Sequence, residues 1–435
     1  MQTESSNNPD RRCAFYLQHR KRNCHLSVSK GFQYCAEHAH QNNKPVVKPR
    51  VECPYDPNHS VWVHRLKKHL KICNSRPKDK PVYYQQSVNI DSALEDYTGK
   101  TELASFSPEE IKEIIRKIKL VEEAHLLDSE ESVLGHEALS IELANDVNGA
   151  SARKHLDQLA SILGNMEAWN LFTPDTCFVE FGAGKGRLSQ WIFDVVAELP
   201  NTHFILVDKK NVRHKRDLHH KEVRQNLSME RLIIDIQDLA LHRVPAIRDD
   251  RNKPIVGYCK HLCGTATDLA LRCLFPKITE LSNGPESPST LKPCVKGIAM
   301  AMCCHHCCNW NSYVGKEFLK LHGFDRCEFE AIIRLSSWAV CGSRPGHGDE
   351  DRACHKETSN NDAEEGKETL TSSIGLTIHE REEVGRMCKR LLDAGRMDFL
   401  QRNNMQTKLV RYVRPDVTKE NILILARREV KDSNQ

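Results

Sequence analysis

Three glycines at alternate positions, in the middle of the chain, constrain its fold more than any other feature. Within residues 177–187, an apolar run ends at Phe181 and is followed by Gly182, Gly184 and Gly186. Because glycine has no Cβ, such a loop can adopt positive φ and lets a ligand approach the backbone. The helix that starts behind it offers unpaired amide groups to an anion. The stretch therefore predicts a strand, a glycine turn and a helix that bind a small anionic cofactor.

The spacing of this turn distinguishes between two classes of cofactor. A dinucleotide fingerprint has a further glycine or alanine at the position that Arg187 occupies here. Instead, Glu180 precedes the three glycines, and this pattern resembles the cofactor motif of class I S-adenosylmethionine methyltransferases. The resemblance implies that Glu180 helps to hold the methionine end of the cofactor. A glycine triplet alone is also compatible with a simple tight turn.

Acidic residues stand after the next two predicted strands. Asp208 ends the apolar run 203–207, where an acid at a strand tip can accept hydrogen bonds from ribose hydroxyls. Asp238 follows the run 231–236 and is placed to bind the adenine edge, and Asp235 competes for that role. Each acid alone is typical of a solvated strand end, but three acids in register with the glycine turn favour a cofactor site.

The composition indicates a globular protein that works inside the cell. Hydrophobic residues make up 39% of the 435 residues, and residues 1–10 contain no apolar signal-peptide core. No apolar run approaches the roughly 20 residues that a membrane helix needs. The 18 cysteines favour reduced thiols, several of them metal ligands, over a secreted disulfide scaffold. We expect a soluble intracellular protein, in the nucleus, the cytoplasm or both, with no membrane partner.

The charge is distributed unevenly along the chain. The formal net charge is only +4, but residues 11–80 contain 16 Lys and Arg against 4 Asp and Glu. A locally basic module usually binds phosphates, so we expect a nucleic acid as its partner. The alternative is a charged face that only keeps the protein soluble.

Two cysteine–histidine units precede the glycine turn and have the ligand types that tetrahedral zinc prefers. The first, in residues 11–41, has too little apolar content to fold without a metal, and His25 and His40 are rival fourth ligands. The second, in residues 50–76, places a histidine and a cysteine four residues apart on the helix predicted for 63–72. The predicted ligands are Cys13, Cys24, Cys35 and His38 in the first unit, and Cys53, His59, His69 and Cys73 in the second.

A polar linker is predicted for residues 76–106, and a helical connector for residues 107–170. Ser107 is a candidate N-cap, and Glu110 completes a capping box. Apolar residues recur behind it at helical spacing, at Ile111, Ile114, Ile115, Ile118 and Val121. We expect this connector to pack against the domain that follows.

Residues 171–430 alternate strands with helices, which predicts an α/β domain with a parallel sheet, the Rossmann-like class I methyltransferase fold. Two hydrophilic insertions, at 282–289 and about 342–371, interrupt it. The second is acidic and lacks large apolar residues, so we expect it to be disordered. Strands are predicted near 177–181, 203–207, 231–235, 254–259, 296–302, 327–333 and 421–426.

The residues after the fourth and fifth of these strands are unusual, and open parallel sheets bind ligands at that edge. Lys260, His261 and Asp268 follow the fourth strand. The run Cys-Cys-His-His-Cys-Cys follows the fifth, at residues 303–308. Neighbouring residues on an extended chain point to opposite faces, so six of them cannot all bind one ion. We favour buried packing and a wall of the substrate pocket over a third metal site.

The motifs and their order resemble the eukaryotic tRNA ribose 2'-O-methyltransferases that act at position 4 of the acceptor stem. The resemblance rests on both cysteine–histidine units, Glu-Phe-Gly-Ala-Gly-Lys-Gly at 180–186, Lys-His-Leu-Cys-Gly at 260–264 and Cys-Cys-His-His at 303–306. It covers residues 13–73 and about 107–427. It implies methyl transfer from S-adenosylmethionine to a ribose 2'-hydroxyl in certain tRNAs.

The nucleophile in such a reaction is a weakly acidic alcohol, which must lie about 3 Å from the methyl carbon and lose its proton. We expect Lys260 to stabilise the forming alkoxide, His261 to accept the proton and Asp268 to orient one of them. The alternatives are a phosphate or cofactor contact for Lys260 and a purely structural role for His261.

A basic segment near the C-terminus is a second candidate for RNA contacts, with a solvated helix as the alternative. A different function is also compatible with the sequence, a zinc-finger RNA-binding or splicing-associated protein with an inactive methyltransferase-like domain. The basic segment contains Arg381, Arg386, Lys389, Arg390 and Arg396.

Overall fold

The chain forms two compact units, Met1–Pro81 and Val82–Gln435. The computed structural model describes residues 12–18, 21–28, 32–35, 38–39, 50–73, 75–76, 80–91, 97–125, 129–210, 227–277, 292–340 and 374–428. Both predicted insertions, at 282–289 and 342–371, lie outside these residues. Among the helices of the described residues, none is long and apolar enough to cross a membrane.

The first unit contains two small antiparallel ribbons. Tyr16–Leu17 pairs with Arg22–Asn23, and Arg50–Cys53 pairs with Asp56–Trp62. The helix predicted for residues 63–72 begins with a 3-10 turn at Val63–Arg65 and becomes α-helical over Leu66–Ile72.

An eight-stranded sheet forms the centre of the second unit. Its strands are β1 (Glu130–Glu131), β2 (Cys177–Phe181), β3 (Thr202–Asp208), β4 (Leu227–Ile233), β5 (Ile255–Cys263), β6 (Val295–Cys303), β7 (Met405–Arg411) and β8 (Ile422–Arg428). They lie in the order β1-β7-β8-β6-β5-β2-β3-β4.

Five neighbouring strands of this sheet, β6, β5, β2, β3 and β4, run parallel to one another. The predicted α/β fold is therefore confirmed. At the other side of the sheet, β8 is antiparallel to both β6 and β7. The carboxyl ends of the five parallel strands share one edge, where sheets of this kind bind their ligands.

The described part of the second unit contains nine helices: α1 (Pro108–His125), α2 (Ser140–Ala144), α3 (Ala150–Ala168), α4 (Arg187–Val195), α5 (Pro245–Arg248), α6 (Thr265–Leu274), α7 (Lys316–Leu321), α8 (Arg326–Ser336) and α9 (Ile378–Arg402). The buried stripe of α1 shares a core with Phe329 of α8 and Leu391 of α9. Leu163 of α3 packs in the same cluster as Phe178 of β2. The connector therefore packs against the sheet domain, as the sequence predicts.

The strand predicted at 327–333 is wrong, because these residues belong to α8. The side chain of Asp325 accepts a hydrogen bond from the amide of Glu328, whose carboxylate accepts one from the amide of Asp325. This capping box starts a helix, and Phe329, Ile332 and Ile333 then recur at helical spacing. The sequence analysis also missed β7, which pairs along its whole length with β8.

Residues 83–91 were predicted as part of a linker, but they lie along the second unit close to the end of β4. The amide of Gln85 donates to the carbonyl of Asp238 at 2.9 Å. The buried side-chain amide of Asn89 donates to the carbonyls of Ile236 and Leu239 at 2.6 and 2.9 Å. Asp91 binds Arg272, Lys277 and Lys316. Because Tyr83, Tyr84 and Ile90 pack against the core, this segment is held by apolar contacts as well.

Candidate active site and zinc centres

The glycine turn has the left-handed backbone that its sequence predicts. The φ angles of Gly182, Gly184 and Gly186 are 67°, 48° and 64°. A Cβ on Gly182 would lie 2.8 Å from Leu262 Cδ1, whereas a Cβ on Gly184 would meet no atom within 4 Å. Gly182 is thus required by both conformation and space, and Gly184 by conformation alone, with open space beside it.

Asp208 is hydrogen-bonded to the backbone of this turn. Its Oδ2 accepts a hydrogen bond from the amide of Gly184 at 2.7 Å, and its Oδ1 accepts one from the amide of Lys210 at 2.7 Å. The predicted acid at the tip of β3 therefore lies beside the predicted glycine turn, because β2 and β3 are parallel neighbours.

Glu180 lies beneath the turn and is 4% exposed. Its carboxylate accepts hydrogen bonds from the amide of Ser189, at 3.3 Å, and from the Ser189 hydroxyl, which also contacts the Tyr258 hydroxyl at 2.6 Å. Burial raises the pKa of Glu180 to about 7, against the lowering effect of the Ser189 hydrogen bonds. In this structure Glu180 binds an otherwise unpaired amide in the first turn of α4, a role that the sequence analysis did not consider.

Asp235 and Asp238, the two candidates for the adenine edge, both have local partners. Asp235 accepts a hydrogen bond from the amide of Gln237 at 3.2 Å and pairs with Lys209 at 2.8 Å. Asp238 accepts one from the amide of Ser87 at 2.7 Å, which helps to hold the segment 83–91 in place. Their contact with a cofactor stays a prediction.

Lys260 occupies the end of β5 and is partly buried. Burial, and then the nearby Arg187 guanidinium, lower the pKa of Lys260 to about 8, against the raising effect of Glu180. Its Nζ lies 3.5 Å from His155 Nδ1 on α3. A lysine in this environment releases its proton far more readily than one in water.

His261 follows in an unusual backbone conformation. Lys260 pairs with Ala301, and Leu262 pairs with Met302, so His261 is the extra residue of a β-bulge. Its φ of 62° is left-handed, which is uncommon for a residue other than glycine. The bulge leaves the imidazole exposed, with Nε2 3.0 Å from Gln158 Oε1.

Asp268 does not orient either of these groups, and this prediction is corrected. Its fully buried carboxylate binds Arg396 in a fork, with Nη2 2.8 Å from Oδ2 and Nε 3.1 Å from Oδ1. Arg396 also binds Asp393 at 2.8 Å, and Asp393 binds His305 Nε2 at 2.8 Å. Asp268 therefore belongs to a buried charge network between α6, α9 and the end of β6.

The prediction that the basic segment of α9 contacts RNA is corrected for three of its five cations, Lys389, Arg390 and Arg396, and stays a prediction for the other two. Arg396 is fully buried in the network described above. Arg390 pairs with Glu122 and Glu383, and Lys389 pairs with Glu420. These three cations stabilise contacts within the second unit instead of forming the phosphate-binding face that their spacing indicated.

In the first unit, the predicted zinc ligands converge at two points. Around the first, His38 Nδ1 lies 3.4 Å from the Sγ atoms of both Cys13 and Cys35. The four ligand atoms of Cys13, Cys24, Cys35 and His38 all lie within 4.8 Å of one another. The rival His25 is exposed and outside this group, and His40 lies outside the described residues.

The second point brings together Cys53, His59, His69 and Cys73, again within 4.8 Å. Cys53 Sγ lies 3.7 Å from Cys73 Sγ and 3.2 Å from His69 Nε2. The chemistry of both sets, thiolate and imidazole, fits tetrahedral zinc.

Family models match three parts of the chain. The model described as Methyltransferase TRM13 matches residues 157–427. The models described as CCCH zinc finger in TRM13 protein and U11-48K-like CHHC zinc finger match residues 11–39 and 50–74. The two predicted zinc fingers are thereby confirmed.

Individual relatives align over almost the whole chain. The tRNA:m(4)X modification enzyme TRM13 homolog of Mus musculus is 38% identical and covers 96% of this chain and 94% of its own length. The tRNA:m(4)X modification enzyme TRM13 of Saccharomyces cerevisiae is 29% identical over 95% of each chain. The solved plantazolicin methyltransferase BpumL, in complex with SAH, matches at 12% identity and a TM-score of 0.27 over 74% of this chain and 98% of its own, a likeness too weak to inform the site. The glycine turn, the parallel sheet and both fingers agree with these matches, and the chain belongs to the methyltransferase TRM13 family.

Proposed function

We propose that this protein transfers a methyl group from S-adenosylmethionine to the ribose 2'-hydroxyl of nucleotide 4 in the acceptor stem of tRNA. The observation that carries the proposal is the arrangement of the glycine turn, Asp208 and Lys260 at one edge of the sheet. The relatives are named tRNA:m(4)X modification enzymes, and this supports the choice of substrate. The ribose oxygen as acceptor rests on the motif resemblance.

The residues at this edge fit S-adenosylmethionine, which supplies an electrophilic methyl group when bound. The left-handed turn at residues 182–186 opens on free space at Gly184, so a ligand can lie against its backbone. Asp208 presents a carboxylate beside that turn for the ribose hydroxyls. Asp235 and Asp238 are proposed for the adenine edge, and Glu180 supports the turn from below.

Lys260 and His261 are proposed as the groups that act on the nucleophile. At neutral pH most Lys260 side chains carry a proton, so the ammonium stabilises negative charge that develops on the 2'-oxygen. An amide oxygen only accepts hydrogen bonds, so with Gln158 Oε1 at His261 Nε2 the basic nitrogen of the imidazole is Nδ1. His261 Nδ1 would accept the proton of the 2'-hydroxyl as that oxygen acts as the nucleophile toward the methyl group that a bound S-adenosylmethionine would supply.

The basic zinc-finger unit is proposed to hold the RNA. Residues 11–80 carry four times as many cationic as anionic side chains, 16 against 4. Such a unit contacts phosphates, which position an RNA stem without reading its bases. The unit would therefore supply affinity and placement, and the second unit the reaction.

The direct test is to incubate the protein with tritiated S-adenosylmethionine and bulk tRNA that lacks the modification, and to map the labelled nucleotide by nuclease digestion. We expect label at nucleotide 4, in a 2'-O-methylated ribose. The Gly184→Asp variant should lose both labelling and calorimetric binding of the cofactor, because it adds a strained side chain and a negative charge at the turn. Gly149→Ala, which changes a glycine with open space before α3, is the matched control. Label on a base, or unchanged cofactor binding by Gly184→Asp, would contradict the proposal.

A further inference from the structure

Three thiols that belong to neither zinc finger meet at the carboxyl ends of β5 and β6. Cys263 and Cys303 are register partners on these adjacent parallel strands, with their Sγ atoms 3.5 Å apart. Cys304 follows directly, and the three Sγ atoms all lie within 4.8 Å of one another. None of these cysteines is in a disulfide. We refer to Cys263, Cys303 and Cys304 as the thiol cluster.

The backbone explains how two consecutive cysteines can direct their thiols to one point. On an extended chain, neighbouring side chains alternate between opposite faces. Cys304, however, has φ 47° and ψ 47°, a left-handed conformation that ends β6 and begins the 3-10 turn His305–Cys307. The left-handed turn at Cys304 therefore lets Cys303 and Cys304 direct their thiols to the same side, although they are consecutive residues. Cys263, the third member, comes from the neighbouring strand.

The spacing of the cluster matches that of the two fingers in the same chain. Their ligand atoms lie 3.4 Å apart at the first finger and 3.2–3.7 Å apart at the second. A tetrahedral zinc ion with zinc–sulfur bonds of about 2.3 Å requires sulfur atoms roughly 3.8 Å apart. The 3.5 Å between Cys263 and Cys303 agrees with that separation, and it is far longer than the roughly 2 Å of a disulfide bond.

We propose that Cys263, Cys303 and Cys304 bind a third zinc ion. Three thiolates are soft ligands that select zinc over magnesium or calcium. Three protein ligands leave a fourth position for a solvent molecule or another group, as in zinc sites that are not closed. The ion joins the carboxyl ends of two adjacent parallel strands.

The position of the cluster places this ion beside the candidate active site. Leu262, which precedes Cys263, packs its side chain against the turn at Gly182. His261 and Lys260 come immediately before it on β5. By fixing the end of β5, the ion would hold the bulge at His261 in one conformation. The binding of zinc itself does not depend on which molecule the enzyme methylates.

The test is the zinc content of the full chain, purified in reductant and measured by mass spectrometry of the metal. We expect three zinc ions per chain in the unmodified protein and two in Cys303→Ser. Cys294→Ser, which removes a partly buried thiol just before the opposite end of β6, is the matched control and should retain three. Two ions in the unmodified protein, with no loss in Cys303→Ser, would overturn the proposal.

Further variants keep the test decisive if Cys303→Ser folds poorly. Cys304→Ser removes a ligand, so it should also lose one ion. Because Cys304 is only partly buried, this variant should fold normally and keep its circular dichroism spectrum unchanged. Combining it with Cys13→Ser in the first finger should remove two ions, because the sites are separate. Replacement of zinc by cobalt tests metal binding independently. The thiolate-to-cobalt absorption should be weaker in Cys304→Ser than in the unmodified protein, and unchanged in Cys294→Ser. A Cys263–Cys303 disulfide in peptide maps of reductant-purified protein, together with only two zinc ions, would also overturn the proposal.

Discussion

Lys260 is a cation that the protein partly withdraws from water at the end of a sheet strand. Its pKa of about 8 means that it is mostly protonated at pH 7 and mostly neutral at pH 9. If the ammonium stabilises the developing alkoxide, its contribution is present below pH 8 and is lost as the pH rises through that value. If Lys260 has the proposed role, the methylation rate should therefore depend on pH.

We predict that the methylation rate of the unmodified protein falls as the pH increases above about 8, because Lys260 then loses its proton. Lys260→Arg should remove this fall, because a guanidinium stays protonated at pH 10. Lys260→Met should lower the rate at pH 7 by about a hundredfold or more, the usual cost of removing one group that stabilises a developing oxyanion. The measurement is the initial rate at saturating cofactor between pH 6 and 10. The same profile in all three proteins would show that Lys260 takes no part.

Residues whose role depends on the local sequence were easier to predict than those whose role depends on long-range contacts. The glycines and Asp208 follow from the strand–turn–helix pattern, and the structure brings them together. The partner of Asp268 is Arg396, which is 128 positions away in the chain. No local pattern could reveal that pairing, so the sequence analysis assigned Asp268 to the nearest catalytic candidates.

Several charged residues of helix α9 form ion pairs with other elements of the second unit. Its Arg396 is buried between Asp268 and Asp393, and buried ion pairs are costly to break because the remaining charges are left without partners. A surface pair costs far less to remove. The same helix offers both cases, since Arg386 is partly exposed and pairs with Glu382 and Glu383.

We predict that Arg396→Leu lowers the stability of the second unit by about 3–5 kcal/mol, because Asp268 loses its buried cation and Asp393 keeps only His305 as a side-chain partner. Arg386→Leu, the control on the same helix, should change it by about 1 kcal/mol or less. Denaturant unfolding of the full chain, followed by tryptophan fluorescence, measures both. Equal effects of the two substitutions would contradict the network described here.

Errors in the predicted elements have identifiable causes. The short apolar segment of α8 was taken for a strand, since a run of that length fits either element and the capping box at Asp325 was not used. Strand β7 alternates weakly and carries polar residues, so its pairing with β8 decides its conformation. The segment 83–91 is polar in sequence, yet its two tyrosines and Asn89 find partners only in the folded domain.

For the whole molecule, the order of motifs predicted the architecture better than any single motif. Two zinc fingers, a helical connector and an α/β domain each have their own local signature, and the chain separates into compact units at Pro81. The antiparallel side of the sheet was harder to predict from the sequence, because it joins β6 to strands near the end of the chain.

We predict that Cys53→Ser, which removes a ligand of the second finger, weakens tRNA binding and leaves cofactor binding unchanged. The reason is that the finger belongs to the first compact unit and the glycine turn to the second. Filter binding of tRNA at two salt concentrations and calorimetry of the cofactor measure the two effects separately. A parallel loss of cofactor affinity would show that the units do not work independently.

The bulge at His261 has a consequence for attempts to stabilise this protein. A histidine at positive φ costs on the order of 1 kcal/mol or more, which glycine would avoid. Directed evolution for heat tolerance alone would therefore favour His261→Gly. The most thermostable variants would then lack the proposed proton acceptor.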